Sequence, residues 1–74
     1  MVDELIYARI NNTLVARGCG DDDMRGFAVR MVMEAIDILP TLDEQVQYGV
    51  AIYQAQLWGR NVDKSNNKLK QWNR

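Results

Sequence analysis

Cys19 is the only cysteine of the chain, and it lies in the segment RGCGDDDMRG between two glycines and ahead of three aspartates. A cysteine becomes a nucleophile or a redox centre when a nearby histidine, lysine, arginine, metal ion or helix N-terminus lowers its pKa. The chain contains no histidine, and the aspartates disfavour a thiolate. The N-terminus of the following helix opposes those carboxylates only in part. We therefore interpret Cys19 as a small residue in a tight turn between two helices.

The run Asp21, Asp22 and Asp23 is compatible with two roles. Carboxylates bind hard cations, but a calcium-binding loop places its ligands at alternate positions and ends with a glutamate, which this segment lacks. Acidic residues at a helix N-terminus instead accept hydrogen bonds from unpaired amides and interact favourably with the helix dipole. We predict a helix cap here and no metal site, with the remaining carboxylates forming an acidic patch that suits a basic partner.

Arg30, Glu34 and Asp37 recur at spacings of four and three residues, which predicts one side of a helix. Two carboxylates on one helix could serve as general acid and base, but that chemistry requires a cleft and a shifted pKa. A surface ion network is the ordinary explanation. The sequence also lacks a phosphate-binding loop, a zinc-ligand set, a nucleophile elbow and a dinucleotide-binding fingerprint. We predict no catalytic residues, no metal, no cofactor and no small-molecule substrate.

Charge divides the chain into two regions of opposite sign. Residues 1–59 carry nine acidic residues and four arginines, a net charge of −5, whereas residues 60–74 carry five basic residues and one aspartate, a net charge of +4. Every lysine lies in the second region. We therefore divide the chain into a helical domain, 1–59, and a basic C-terminal tail or short helix, 60–74.

The composition also predicts where the protein resides. A single cysteine suits a reducing compartment, and the opening MVDELIYARI lacks the basic and apolar regions of a signal peptide. The longest uncharged segment is too short to cross a bilayer. We expect a cytoplasmic protein with no membrane association. Its 74 residues support one small domain, whose limited core favours tight helix packing or self-association.

Helices are the elements that must position these residues, because apolar residues recur at three- and four-residue intervals and strand alternation is missing. The first helix, about 3–17, follows an apolar repeat from Val2 to Leu14. It ends where Gly18 permits a left-handed turn.

The second helix, about 22–39, stops before Pro40, which disfavours helical geometry in the preceding residue. Its apolar residues form two rows and cover nearly the whole circumference. Such a helix must be buried on more than one side, within its own bundle or against another chain. We expect one row to pack internally and the other to form a dimer or partner interface. The residues predicted at this interface are Phe27, Met31, Val32, Met33, Ile36, Tyr53 and Trp58.

The third helix, about 42–58, begins at a capping box in which Thr41 and Glu44 each bind the other's backbone amide. Gly49 lies within its apolar stripe, which predicts a close approach between helix backbones. Apolar spacing continues beyond Gly59, so the tail either extends the third helix or forms a short fourth one. The predicted fold class is all-α, a small bundle of three helices with a basic C-terminal extension.

The hypothesis that these features favour is a small intracellular helical protein–protein interaction module. It would act as a regulator, inhibitor or subunit that binds a partner protein, and a homodimer is expected. A phage origin would fit such a chain, although no residue shows one. The alternative is a nucleic-acid-associated regulator that uses the basic tail, against which the acidic body argues. The contacts predicted by this alternative are Arg60, Lys64, Lys68, Lys70, Trp72 and Arg74.

Overall fold

A computed structural model of the chain contains α1 (Val2–Ala16), α2 (Asp22–Glu34), a short 3₁₀ helix (Ile36–Ile38) and α3 (Leu42–Trp72). It describes the backbone of residues 2–72 and the side-chain environment of residues 3–60. Throughout the described backbone there is no strand. The prediction of an all-α bundle of three helices is confirmed.

The core forms where the three helices meet, and each helix contributes buried side chains to it. The largest fully buried side chains include Ile10 and Leu14 of α1, Val29 and Val32 of α2, and Val46 of α3. The same cluster contains Cys19, Met24, Ala28 and Tyr53. Apolar residues at helical spacing thus reach a single shared core.

Gly49 lies where α3 passes between the core side chains of the other two helices. A Cβ atom added at this position would lie 3.2 Å from Leu14 Cδ1 and 3.3 Å from Val32 Cγ2. The close approach predicted at Gly49 is present, and the atoms nearest to this position belong to side chains and not to a helix backbone. Side chains of α1 and α2 occupy the space that the missing side chain leaves.

The turn between α1 and α2 follows from Gly18. This residue has a φ of 93°, a left-handed conformation that glycine adopts without steric cost. The Gly18 N–H donates to the Val15 carbonyl and the Cys19 N–H donates to the Leu14 carbonyl, both at 3.0 Å. These two bonds are the pair that closes a Schellman motif at a helix C-terminus. The predicted end of the first helix at Gly18 is confirmed.

Helix α2 ends at Glu34, earlier than the predicted end at residue 39. The N–H groups of Ile38 and Leu39 donate to carbonyls three residues earlier, at 3.0 and 3.2 Å, so the chain tightens into a 3₁₀ turn. Pro40 disfavours α geometry in Leu39, so α2 could not continue past this corner, but the α-helix ends five residues before that limit. Gln45 Nε2 then donates to the Leu39 carbonyl at 2.8 Å and ties this corner to α3.

Helix α3 begins at the predicted capping residues, with one bond changed. The Glu44 N–H donates to Thr41 Oγ1 at 3.2 Å, as predicted. The Glu44 carboxylate accepts from the Thr41 hydroxyl at 3.1 Å, a side-chain bond in place of the predicted return bond to the Thr41 amide. Beyond the bundle, α3 continues without interruption to Trp72. Of the two predictions for the tail, the extension of the third helix is the one observed.

Candidate binding groove

A groove lies between α1 and α2. It consists of two cavities of about 460 and 280 Å³, and Tyr7 lines both of them. We call the two cavities together the α1–α2 groove. Its other lining residues are Asp22, Asp23, Gly26, Phe27 and Arg30 in the larger cavity and Asp3, Glu4 and Met33 in the smaller one.

The helical repeat explains why these residues line a groove and not the core. Tyr7 lies three residues before the buried Ile10, about 60° from it around α1, and Phe27 directly precedes the buried Ala28, about 100° from it around α2. Each is therefore rotated away from the buried stripe of its helix. Tyr7 is 41% exposed and Phe27 is 45% exposed. A Cβ atom added at Gly26 would meet no atom within 4 Å, so this glycine leaves open space in the larger cavity.

The charge of the groove comes from the first turns of two helices. Asp3 and Glu4 belong to the first turn of α1, and Asp22 and Asp23 to the first turn of α2. Local helix physics accounts for acidic residues at these positions, because carboxylates interact favourably with a helix N-terminus. Arg30 is the one cationic residue among those that line the two cavities. The lining therefore combines the aromatic side chains of Tyr7 and Phe27 with four carboxylates, which we call the acidic rim of the groove.

Two of the residues predicted at an interface belong instead to the core. Val32 and Tyr53 are buried within the chain, so they present no surface to a partner. The reason is that both apolar rows of α2 supply the core, with Met24 and Ala28 from one row and Val29 and Val32 from the other. The predicted division into one internal row and one interface row is wrong.

The remaining predicted interface residues keep exposed surface. Trp58 is 69% exposed on α3, beside neither cavity. Met31, Met33 and Ile36 are half-buried. Only Phe27 and Met33 come together in the α1–α2 groove.

Tyr7 is the aromatic lining residue that the sequence pattern did not indicate. The available signal was an aromatic side chain at the edge of the apolar stripe of α1, one turn from Ile10. Its partner across the groove, Phe27, lies on a different helix, and the pairing depends on how α1 and α2 pack. No local pattern in the sequence contains that information.

Arg25 organises the corner next to the groove. Its Nε donates to Asn11 Oδ1 at 2.8 Å, its Nη1 to the Cys19 carbonyl at 2.8 Å and its Nη2 to Asp22 Oδ1 at 2.6 Å. One side chain thus joins α1, the turn and the start of α2. Cys19 lies buried in that turn, where burial raises the pKa of its thiol and the positive charge of Arg25 only partly opposes the rise.

Asp21 is the N-cap of α2, as predicted for the aspartate run. Its Oδ1 accepts from the Met24 N–H at 2.9 Å, and its own N–H donates to Tyr53 Oη at 3.0 Å. The bond from Met24 is the main reason that the pKa of Asp21 is lowered, and the guanidiniums of Arg60 and Arg25 contribute further. Within the described residues, no group of three or more side chains is arranged to hold a metal ion.

The predicted ion network of Arg30, Glu34 and Asp37 does not occupy one helix face. Asp37 belongs to the 3₁₀ turn because α2 ends at Glu34. All three side chains are exposed.

Most of the predicted nucleic-acid contacts fall outside the side chains that the structure describes. These are Lys64, Lys68, Lys70, Trp72 and Arg74. Arg60 is described, and its Nη1 lies 3.6 Å from Asp21 Oδ2. Contact with nucleic acid therefore stays a prediction.

Comparisons with known proteins give no relative from which a function could be transferred. No protein-family model matches the chain, and searches of curated proteins and of solved structures find no match either. Among the described helices, none combines the length and apolarity that crossing a bilayer requires. Function must therefore be inferred from the chain's own geometry.

Proposed function

We propose that this chain is a small protein–protein interaction module and that the α1–α2 groove is its binding surface. The observation that carries the proposal is the pair of half-exposed aromatic residues, Tyr7 and Phe27, inside a concave site with an acidic rim. The role is that of a regulator, inhibitor or subunit that acts by occupancy and not by catalysis.

A partner that covers the groove would gain binding free energy from the apolar surface that it removes from water. Removing apolar surface from water contributes about 25 cal/mol per Å², and aromatic residues are enriched among the residues that dominate binding energies at protein interfaces. A groove between two helices suits an amphipathic helix, which places its apolar side chains between them. The carboxylates at the rim favour a helix whose flanking residues are basic.

The same surface supports the homodimer that the sequence predicts. A domain of this length has a small core, and burial of further apolar surface against a second copy would stabilise it. The buried, unpaired thiol of Cys19 is compatible with a reducing compartment, and we place the action of the protein in the cytoplasm on that ground.

The proposal can be tested by replacing Phe27 with a photoreactive benzoyl-phenylalanine in the full chain and irradiating living cells that express it. We expect covalent adducts with a protein. The matched control carries the same residue at Val15, which is exposed on α1 but does not line the groove. Adding Asp23→Lys to the Phe27 variant should reduce the adduct yield, because it makes the rim less acidic.

The outcomes separate clearly. Binding in the groove is supported by a protein adduct that forms from position 27 and depends on Asp23. The adduct from position 15 should be absent or weaker. Equal yields from both positions, or none from position 27, would overturn the proposal. The mass of the adduct also distinguishes a second copy of this chain from a different protein.

A further inference from the structure

We propose that the α1–α2 groove of one copy binds the basic C-terminal segment, residues 60–74, of a second copy. This inference rests on the proposed function, since it uses the same groove, and it names the occupant. Two such contacts, related by a two-fold axis, would hold a homodimer in which each copy gives its C-terminal segment and receives the other.

Charge is the first observation that favours this occupant. The groove is lined by four carboxylates and one guanidinium, whereas the C-terminal segment has a net charge of +4. The segment contains every lysine of the protein. Opposite potentials on two surfaces of one chain favour their contact between copies.

The pattern of the segment is the second observation. Val62, Leu69 and Trp72 recur at helical spacing among the basic residues, and the backbone through Trp72 is helical. A sequence of this kind is typical of an amphipathic helix that binds an apolar groove. Tyr7 and Phe27 provide the apolar surface against which such residues would pack.

The length of the C-terminal segment fits the length of the groove. From Asp22 to Met33 the groove follows twelve residues of α2, which at 1.5 Å per residue is roughly 18 Å. The fifteen residues of the C-terminal segment would span roughly 22 Å as a helix. The segment is therefore long enough to cover the groove from one acidic end to the other.

The continuity of α3 explains why the occupant comes from a second copy. Arg60 lies beside Asp21, at the turn between α1 and α2, and the helix continues from there to Trp72. To reach the groove of its own copy, the segment would have to reverse direction and break α3. A second copy can supply the same segment without that cost.

The decisive experiment is a charge exchange in the full chain, with molar mass measured across concentrations by sedimentation or light scattering. We expect the wild-type chain to dimerise, and Asp23→Lys or Lys68→Glu alone to weaken dimerisation by roughly tenfold, since each reduces the attraction between groove and segment at both contacts. An equimolar mixture of the two variants should restore dimerisation. In that mixed dimer the unaltered groove of one copy faces the unaltered segment of the other, a contact that neither variant can form alone.

A matched control removes the effect of the substitutions on helix stability. Asp43→Lys changes an acidic residue in the first turn of α3, as Asp23→Lys does in α2, but Asp43 does not line the groove. It should therefore leave dimerisation unchanged. Thermal unfolding of each variant, followed by circular dichroism, checks that the chain remains folded.

Three results would overturn the inference. First, a wild-type chain that stays monomeric at all concentrations would show that the segment of a second copy does not bind in the groove. The proposed function would still stand in that case if the photoreactive residue at position 27 formed an adduct with a different protein. Dimers that Asp23→Lys leaves unchanged, or that the mixture fails to restore, place the contact elsewhere. A monomer that binds a DNA or RNA duplex, and loses that binding in Lys68→Glu, assigns the segment to nucleic acid.

Discussion

The two faces of the α1–α2 pair differ in what covers their apolar residues. On the inner face, Leu14 and Val32 are fully buried, and they leave no room for a side chain at Gly49. On the outer face, Tyr7 and Phe27 remain half-exposed in an open groove. The same two helices thus bury one apolar surface within the chain and leave another partly exposed.

A rotation of one residue separates the two faces. Phe27 lies in the groove and Ala28, the next residue, is fully buried. Because successive helix residues point about 100° apart, an apolar sequence around the whole of α2 supplies both surfaces at once. The comparison predicts that substitutions on the inner face change stability and that those on the outer face change binding.

Leu14→Ala should have the largest effect on stability. It removes a fully buried side chain and leaves a cavity beside Gly49 and Val32, which we expect to lower the free energy of unfolding by about 2–5 kcal/mol. Urea denaturation followed by circular dichroism measures the loss. The matched control is Leu5→Ala on the same helix, where the side chain is 70% exposed and the change should stay within about 0.5 kcal/mol. Equal losses would contradict the division into two faces.

Arg25→Ala should have the next largest effect. It removes three hydrogen bonds that join α1, the turn and α2, and it leaves the partly buried Asn11 side chain and the Cys19 carbonyl without this donor. We expect a loss of about 1.5–3 kcal/mol, the range for hydrogen bonds to charged groups. Arg30→Ala, which removes an exposed arginine of the groove, is the control and should change stability by less than about 0.5 kcal/mol.

Gly49→Val tests the closeness of the inner face. The added side chain would enter space held by Leu14 and Val32, and such overpacking costs about 1–3 kcal/mol. Gly59→Ala is the control on the same helix, because a Cβ atom there meets nothing within 4 Å. It should stabilise the protein by about 0.5–1 kcal/mol, since alanine restricts the unfolded chain. Thermal melting compares the two, and a stabilised valine variant would show that the inner face is loosely packed.

Acid should produce the smallest of these effects, through Asp21. The bond from the Met24 N–H lowers the pKa of this carboxyl in the folded state, so its contribution to stability is present above the ordinary value of 3.8. That contribution is lost as pH falls below 3.8 through the folded-state pKa. Asp21→Asn keeps a good capping residue but cannot titrate. We expect a shallower loss of stability in this variant between pH 4 and pH 2, measured by urea denaturation, and identical pH profiles would contradict it.

Local signals predicted most of the fold. Gly18 predicted the end of α1, the aspartate run predicted the start of α2, and Thr41 with Glu44 predicted the start of α3, because each signal acts within a few residues of the chain. The end of α2 was harder to predict. Pro40 marks where α geometry must stop, but the 3₁₀ turn begins earlier, and its Leu39 carbonyl is held by Gln45 across the corner.

The groove was less predictable, since its residues meet only after the helices pack. Gln56 Nε2 donates to the Met24 carbonyl, and Tyr53 Oη accepts from the Asp21 N–H, across 32 positions of sequence in each case. These bonds fix α2 on α3, and no periodicity in either helix indicates them. Phe27 and Tyr53 were both predicted at the interface. The structure leaves Phe27 half-exposed in the groove and buries Tyr53 in the core.

Because α3 is continuous, the number of residues between the bundle and the basic segment sets the rotation of the segment about the helix axis as well as its distance. A helix advances 1.5 Å and turns about 100° with each residue. One residue inserted after Arg60 would swing every later residue about a quarter turn around the axis, whereas seven would restore the original heading to within about 20° and displace the segment outward by roughly 10 Å. An insertion in α3 therefore changes the direction in which the basic segment faces, because the continuous helix fixes that direction relative to the core.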